Sequence, residues 1–369
     1  MKNIFLLMSV VALLLMSGCA SKKVEVEQTI VFPPYPEEPK ILYVDTYRGG
    51  IVKEKETGFS NFIDNVVLGE RSGGPAASKI IKPYGVGLSN GKVYVADPPS
   101  NAVFVIDEKT RKTDFLGAGM AGRLSNPISI AFDANKTAYV SDSRQRTIQG
   151  YDVNGRHIFS LGGRLEFSHP TGIAIDKKLN RLYVIDTKAH HFKVFDLATK
   201  ERLFTVGKRG HGDGEFNYPT NIAIDSRNSN IVVCDTQNFR VQIFDKDGNF
   251  IRRFGKVGDK PGMFARPKGV AVDTEGHIYV TDSAFNNIQI FNDKGQLLLW
   301  FGSAGYGKTQ FRLITGIYID ENDTMVIADA FSGRVQMFQY ISEKWKKEHP
   351  EKYKELKQFK AEAKAPKKE

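Results

Sequence analysis

The residues that could carry chemistry in this chain recur at a regular spacing. An aspartate ends a short apolar run six times along the sequence, at Asp97, Asp142, Asp186, Asp235, Asp282 and Asp329. Such a set of carboxylates could supply general acids and bases. A carboxylate at the end of a strand can also accept N–H bonds from the following turn. Because an aspartate appears in every unit, the pattern favours this structural role over catalysis.

Histidines form a second group, since His169, His190, His191 and His211 lie near one another in the sequence. Neutral imidazole is a common metal ligand. The spacing contains no His-x-x-x-His pattern of the kind that binds zinc from one helix. We therefore predict no metal site and no cofactor beyond an N-terminal lipid, with His169, His190 and His211 as weak metal candidates. The sequence also contains no P-loop and no Gly-x-Ser-x-Gly nucleophile elbow.

Short strands must position these residues. The six aspartates are 44 to 49 residues apart, and each interval contains four strand-like segments. In the fifth unit these segments are 269–273, 277–282, 288–291 and 297–302. Gly and Asn at the intervening turns permit the positive φ that tight hairpins need. Four strands per repeat predict an all-β fold, a six-bladed β-propeller of four-stranded blades.

The repeat resembles the NHL-repeat family. That family's pattern is a Pro-x-Gly-Ile-Ala-x-Asp segment, then Tyr-Val-x-Asp, Arg-Ile-x-Val-Phe and Phe-Gly. The resemblance covers residues 82–340 and is strongest at 170–176, 219–225 and 267–273. The first and last units depart from it, with Ser89 in place of Asp and Ile314 in place of Pro. The resemblance implies a six-bladed propeller, and the departures fit the atypical terminal units of repeat proteins.

The sixth unit has only three strand-like segments, at 316–320, 325–329 and 334–338. A closed ring leaves no unpaired sheet edge. We predict that an N-terminal strand at 40–48 closes this blade, so that the propeller spans 40–341. Apolar residues at roughly helical spacing predict a capping helix over 58–81. The Lys-rich segment 342–369 is predicted to be a helical or disordered tail, with a helix starting near Pro350.

The first segment has the features of an export signal. Lys2 precedes an apolar run from Ile4 to Met16, too short for a comfortable membrane span. The run ends at Met16-Ser17-Gly18-Cys19, which resembles the bacterial lipobox although Met16 stands where Leu is usual. The resemblance implies a lipoprotein signal peptide at 1–18, an acylated (palmitate-bearing) Cys19 and a Pro-rich tether at 19–39. Because no Asp follows Cys19, we expect an outer-membrane lipoprotein; a plain secretory signal is the alternative.

The net charge of +10 is spread along the chain. We predict a cationic binding face, built from loops between second and third strands, that also exposes aromatic side chains. Its predicted members are Arg144, Arg146, His190, His191, Phe239, Arg240, Phe285, Phe331 and Arg334. Loops that cross between blades add Arg123, Arg164, Lys208, Arg209, His211 and Lys256. Alternatively, the three phenylalanines pack between blades and the charges are merely solvated.

Three functional hypotheses follow. The first is a membrane-anchored scaffold that binds an envelope protein or an anionic glycan; by analogy with similar lipoproteins, a multihaem cytochrome is a conceivable partner. The second is a metal-dependent propeller hydrolase or lyase, similar to lactonases or to an amidating lyase. The third is RNA binding, which some NHL propellers perform. An exported protein rarely meets RNA, so no nucleic-acid partner is expected, and binding is favoured over catalysis.

Overall fold

The computed structural model describes residues 29–34, 37–49, 51–52 and 79–362. The predicted signal peptide, Cys19 and segment 58–78 of the predicted capping helix lie outside the described residues. Within the described part, no helix is long and apolar enough to cross a bilayer. Most of the regular secondary structure of this part is strand, arranged in six large sheets around a central axis and one two-stranded ribbon.

The strands are numbered along the chain. The first two are β1 (Val31–Phe32) and β2 (Ile41–Tyr47). Blade one contains β3 (Ile51–Val52), β4 (Val86–Ser89), β5 (Lys92–Asp97), β6 (Ala102–Asp107) and β7 (Lys112–Leu116). Blade two contains β8 (Pro127–Phe132), β9 (Ala138–Asp142), β10 (Thr147–Tyr151) and β11 (His157–Gly162). Blade three contains β12 (Pro170–Asp176), β13 (Arg181–Asp186), β14 (His191–Asp196) and β15 (Arg202–Val206).

The second half repeats this arrangement. Blade four contains β16 (Asn221–Asp225), β17 (Asn230–Asp235), β18 (Arg240–Phe244) and β19 (Phe250–Phe254). Blade five contains β20 (Pro267–Val272), β21 (Ile278–Asp282), β22 (Asn287–Phe291) and β23 (Leu297–Phe301). A ribbon of β24 (Ser303–Ala304) and β25 (Gln310–Phe311) precedes blade six, which contains β26 (Ile314–Ile319), β27 (Thr324–Asp329) and β28 (Arg334–Tyr340). Single turns of 3-10 helix lie at Pro98–Ser100, Thr187–Ala189 and Thr236–Asn238.

The ring closes as the sequence predicts. Strand β2 pairs antiparallel with β28, from Ile41 opposite Tyr340 to Tyr47 opposite Val335. Strand β1 then pairs with β2, so the sheet starts at Val31, inside the segment predicted to be a tether. The predicted six-bladed propeller with an N-terminal closing strand is therefore confirmed.

Two helices follow the last strand: α1 (Glu343–Glu348) and α2 (Pro350–Glu362). The Ser342 side chain caps α1 by accepting a bond from the Trp345 backbone N–H. The rings and methyl groups of Trp345 and Leu356 are buried against Val31 and Leu42. The short C-terminal helical segment predicted from sequence is confirmed, and it packs against the closing strands.

The Phe-Gly pattern of the repeat has a packing explanation. A buried phenylalanine in each of four crossing loops lies between neighbouring blades: Phe167, Phe216, Phe264 and Phe311. Gly207, which ends the preceding blade, has φ +106, and a Cβ there would come within 2.4 Å of the Phe216 ring. Only glycine combines this backbone conformation with so close an approach. The same pair recurs as Gly255 with Phe264.

The six repeated aspartates have the structural role that their repetition favours. Asp142 accepts bonds from Arg144 N and Gln145 N in the following turn, and from Ser125 N and Asn126 N in the crossing loop that enters its blade. The other five also accept backbone N–H groups of a crossing loop: Asp97, Asp186, Asp235, Asp282 and Asp329. Each carboxylate therefore ties one blade to the loop that brings the chain into it.

Candidate functional site

The propeller presents two faces that the strand directions define. The loop face contains the turns between second and third strands and the crossing loops. Its described ranges are 79–85, 98–101, 117–126, 143–146, 163–169, 187–190, 207–220, 236–239, 255–266, 283–286, 302–313 and 330–333. The hairpin face contains the remaining turns, at 90–91, 108–111, 133–137, 152–156, 177–180, 197–201, 226–229, 245–249, 273–277, 292–296 and 320–323.

Charge is distributed unequally between these faces. The loop-face ranges contain 14 Lys and Arg residues and only four Asp and Glu residues. The hairpin-face ranges contain 10 Lys and Arg residues and 12 Asp and Glu residues. Among the turns and loops of the described propeller, the basic excess therefore lies on the loop face, where it produces a positive potential toward solvent.

An exposed stack of aromatic rings and a guanidinium marks the loop face beside blade six. The Arg312 guanidinium lies 4.5 Å from the centre of the Tyr306 ring and 4.6 Å from that of the Phe331 ring. The two rings are 67% and 65% exposed. Aromatic residues and arginine are enriched in the contact regions of protein interfaces. Phe331, a predicted member of the binding face, is thus on the surface. Arg312 and Tyr306 were not identified from the sequence, because the other repeat units do not contain this pair of residues at the same spacing.

The other predicted aromatic and basic members are distributed between surface and interior. Arg144 is exposed and Arg146 is half-buried in the turn after β9. Phe285 is also half-buried. Phe239 packs against the apolar cluster between blades four and five. The crossing-loop residues are all exposed: Arg123, Arg164, Lys208, Arg209, His211 and Lys256.

Two predicted arginines of the binding face are interior residues. Arg240 and Arg334 are 6% and 2% exposed. The Arg334 Nε donates to Asp329 at 3.0 Å, and its two terminal nitrogens donate to carbonyl oxygens of the crossing loop at Tyr306, Gly307 and Gln310. Arg240 makes the equivalent set of bonds with Asp235 and its own crossing loop. The prediction that these arginines are exposed is wrong, because each occupies the interior of a loop that it holds in place.

The histidines do not converge. His190 is buried and accepts the Tyr218 N–H at its Nδ1, whereas the exposed His211 shares a 2.6 Å hydrogen bond with the Asn238 side chain. Burial lowers the pKa of His169 and of His191. Within the described part of the chain, no three His, Cys, Asp or Glu side chains are grouped as metal ligands. The weak metal candidates His169, His190 and His211 therefore do not form such a group.

The sequence reasoning also missed a lysine near the axis of the loop face. Lys268 is half-buried where β20 begins, and burial lowers the pKa of its ammonium group. Its Nζ makes no hydrogen bond or ion pair within the described residues. Equivalent positions of the other units hold Tyr84, Ile128, Thr171, Thr220 and Thr315. Aligning the units would have revealed this one cation at a position that is otherwise neutral.

The axial channel is narrow at the loop-face end. Inner strands of adjacent blades approach so closely that a Cβ on Gly85 would lie 2.4 Å from the Ile128 carbonyl oxygen. A Cβ on Gly316 would lie 2.3 Å from the Tyr84 carbonyl oxygen. Bonds between blades reinforce this end; Thr220 Oγ1, for example, donates to the Lys268 carbonyl at 2.8 Å. A space of only about 10 Å³ remains there.

A larger axial cavity opens at the hairpin face. Its volume is about 370 Å³, within the size range of small-molecule sites. All six inner strands contribute apolar side chains to its wall, among them Val86, Phe132, Ile175, Ile224, Val272 and Ile319. Ion pairs cross its mouth: Glu321 of blade six lies 3.4 Å from Lys136 of blade two and 3.4 Å from Lys177 of blade three. Blades three and six are opposite one another in the ring, so these side chains span the opening.

Comparison with known proteins agrees with this architecture. The family model described as NHL repeat matches residues 264–291, and the model described as 6-bladed beta-propeller matches residues 180–239. The chain is 27% identical over 161 residues to NHL repeat-containing protein 2 of Gallus gallus, covering 34% of this chain and 22% of the relative. The chain thus spans about a fifth of the length of the curated relatives it matches.

Solved structures with the same fold include enzymes. A streptogramin B lyase superposes with a TM-score of 0.54 at 13% identity, covering 73% of this chain and 96% of the lyase. A gluconolactonase from Xanthomonas campestris superposes with a TM-score of 0.54 at 16% identity, covering 71% and 87% of the two chains. At these identities the similarity establishes the fold alone. The chain is a six-bladed β-propeller with NHL-type repeats.

Proposed function

We propose that this protein is a binding propeller of the bacterial cell envelope, anchored in the outer membrane through an acylated Cys19, whose loop face docks an acidic partner. The charge distribution carries the proposal: 14 basic and four acidic residues on the loop face, against 10 and 12 on the hairpin face. A positive surface attracts an acidic partner over a Debye length and raises its association rate. Binding should therefore weaken as salt is added.

The side chains available for contact fit this function. Arg123 and Arg144 are exposed, and their guanidinium groups can each bind a carboxylate through two parallel hydrogen bonds. The stack of Tyr306, Arg312 and Phe331 adds a rigid aromatic surface on the same face. Arginine and large aromatic residues supply most of the affinity in many protein interfaces. The partner is accordingly a carboxylate-rich envelope protein, with a multihaem cytochrome as one example, or an anionic glycan.

The alternative is a propeller hydrolase or lyase. The similarity to a lyase and a lactonase concerns fold, and fold does not determine activity. Catalysis would need a base or a metal facing the axial channel. The weak candidates His169, His190 and His211 make separate contacts in the described structure, so no observation currently favours this alternative over binding.

Docking can be tested by crosslinking in cells, capture of the tagged full-length protein and mass spectrometry of what co-purifies. The test variant reverses four loop-face charges, with Arg123, Arg144, Arg146 and Arg312 changed to Glu. The matched control reverses four exposed hairpin-face charges, at Lys109, Arg156, Lys246 and Lys294. Arg240 and Arg334 stay unchanged, because replacing a buried charge would unfold their loops.

We expect one dominant partner that the loop-face variant loses and the hairpin-face control retains. Equal loss in both variants would mean that net charge, not the loop face, governs binding. Absence of any specific partner from the wild-type capture would count against docking and direct attention to a small ligand or an enzyme.

The anchor is tested separately. Changing Cys19 to Ser removes the thiol that would carry lipid, so we expect the protein to move from the membrane fraction to the soluble fraction and to lose palmitate labelling. A single acyl chain binds membranes only marginally, whereas a doubly or triply acylated cysteine anchors stably. Unchanged membrane association in the Ser variant would contradict the lipid anchor.

A further inference from the structure

The axial cavity has no role in loop-face docking, since its only wide opening in the described structure is on the opposite face. It narrows at the loop-face end, where inner strands of adjacent blades approach closely at Gly85 and Gly316, and the space there is only about 10 Å³. Its wall is mainly apolar along the inner strands, with partly exposed Ala174, Ile175 and Ala223 among its residues. An apolar molecule that entered from the hairpin face would lose water contact along its whole length, which is the main favourable term in such binding.

The charged side chains at the mouth of the cavity differ in whether they are free to bind a ligand. Most acidic groups there already hold the hairpins together. Asp176 Oδ1 accepts Lys178 N and Leu179 N, and Asp320 Oδ1 accepts Asn322 N and Thr324 N. These carboxylates cannot turn toward a ligand without breaking the turns that they stabilise.

Three side chains are available instead. Lys136 and Lys177 each contact one carboxylate oxygen of Glu321 at 3.4 Å, and the Glu321 side chain is 58% exposed. Exposed ion pairs of this length contribute little free energy and exchange easily. Two cations share one anion in this group. A ligand carboxylate could therefore take the place of the Glu321 carboxylate between the lysines while Glu321 moves into water.

We propose that the axial cavity binds an apolar molecule with a single carboxylate, of the chemical class of a medium-chain fatty acid. The chain lies between the inner strands and the carboxylate lies at the mouth between Lys136 and Lys177. The site goes beyond the docking function and does not depend on it, because the two lie on opposite faces.

Titration calorimetry of the full-length protein tests this site with three probes that share one chain: decanoate, decylamine and decan-1-ol. We expect decanoate to bind at one site and more tightly than the other two. Changing both Lys136 and Lys177 to Gln should weaken decanoate binding about fivefold and leave decan-1-ol binding unchanged, since two exposed ion pairs are lost. The same changes at Lys246 and Lys294, on the same face but away from the mouth, are the control.

A second variant tests the location. Ala174 lines the cavity and is half-buried, so Ala174→Phe should fill part of the space and abolish binding of all three probes. Circular dichroism and the melting curve establish whether this variant is folded. If it is not folded, the lysine variants still test the proposal.

Four results would overturn the proposal: tighter binding of decylamine than of decanoate, equal affinities for all three probes, no binding of any probe, or undiminished decanoate binding by folded Ala174→Phe. The first two would refute the carboxylate specificity, and the last two would refute the cavity as the site. Loss of loop-face docking would affect none of these measurements.

Discussion

The two faces of the propeller are made by the same repeat but use their charged residues differently. On the hairpin face, several acidic residues have a local structural role. Asp133, Asp245 and Asp273 each accept the backbone N–H of a residue four positions later, which closes the turn. On the loop face, exposed basic residues such as Arg123 and Arg164 have no comparable bonds, although Arg240 and Arg334 do.

The difference separates structural requirement from function. Turn chemistry accounts for much of the acidic composition of the hairpin face. It does not account for 14 basic residues against four acidic residues on the loop face. A charge pattern that the fold does not require is the better indication of a partner, and this is the reason for assigning docking to the loop face.

The comparison depends on a closed ring, and the largest effect is expected from opening it. Deleting residues 36–48 removes β2 and with it the buried side chains of Ile41, Leu42 and Tyr47. Each contributes roughly 1.5–3 kcal/mol by burial. We expect the melting temperature to fall by about 10 °C or more. Calorimetry measures it, and deletion of residues 20–28 is the control. An unchanged melting curve would refute closure by this strand.

A second prediction compares a buried arginine that holds a crossing loop in place with an exposed arginine of the loop face. Arg334→Met leaves the Asp329 carboxylate buried without its cation and removes the guanidinium bonds to the Tyr306, Gly307 and Gln310 carbonyl groups. Removing one partner of a buried pair typically costs ~3–5 kcal/mol. Arg144→Met, at an exposed position, should change stability by no more than about 0.5 kcal/mol. Denaturant unfolding compares the two. Similar losses would mean that the division between buried and exposed arginines is mistaken.

The smallest effects concern pH, and they should have opposite signs on the two faces. On the hairpin face, a hydrogen bond to Asp273 raises the pKa of His277 above its usual range. The stability gained from that protonated pair is fully present below the unfolded pKa of about 6.5 and is lost as pH rises through the raised value. His277→Gln should therefore destabilise the protein more at about pH 5 than at about pH 9.

At the loop-face end of β14, burial lowers the pKa of His191, although Asp186 opposes the shift. The folded state then favours neutral His191, so wild-type stability decreases as pH falls below about 6.5. His191→Gln removes this loss of stability at low pH, so the substitution should destabilise the protein less at about pH 5 than at about pH 9. Unfolding midpoints of both variants across this range provide the measurement. The same pH trend in both variants would contradict the assigned pKa directions.

The sequence predicts the propeller, its strands and its closure because these depend on local patterns. Pro267–Val272 and Ile278–Asp282, for example, begin and end within two residues of the predicted strands. The site could be predicted less well. Arg240 and Arg144 both follow a repeated aspartate, but only the packed crossing loop determines that the first is buried. The cavity depends on how closely inner strands of different blades approach, which no single repeat encodes.

Site-specific photo-crosslinking in cells tests the central claim most directly. A photoreactive phenylalanine analogue is placed at Tyr306 or Phe331 on the loop face, and at Lys246 or Lys294 on the hairpin face. The account predicts that both loop-face positions give the same dominant crosslinked species, that the hairpin-face positions do not, and that added salt reduces its yield. A dominant crosslink from the hairpin-face positions, with none from Tyr306 and Phe331, would contradict docking on the loop face.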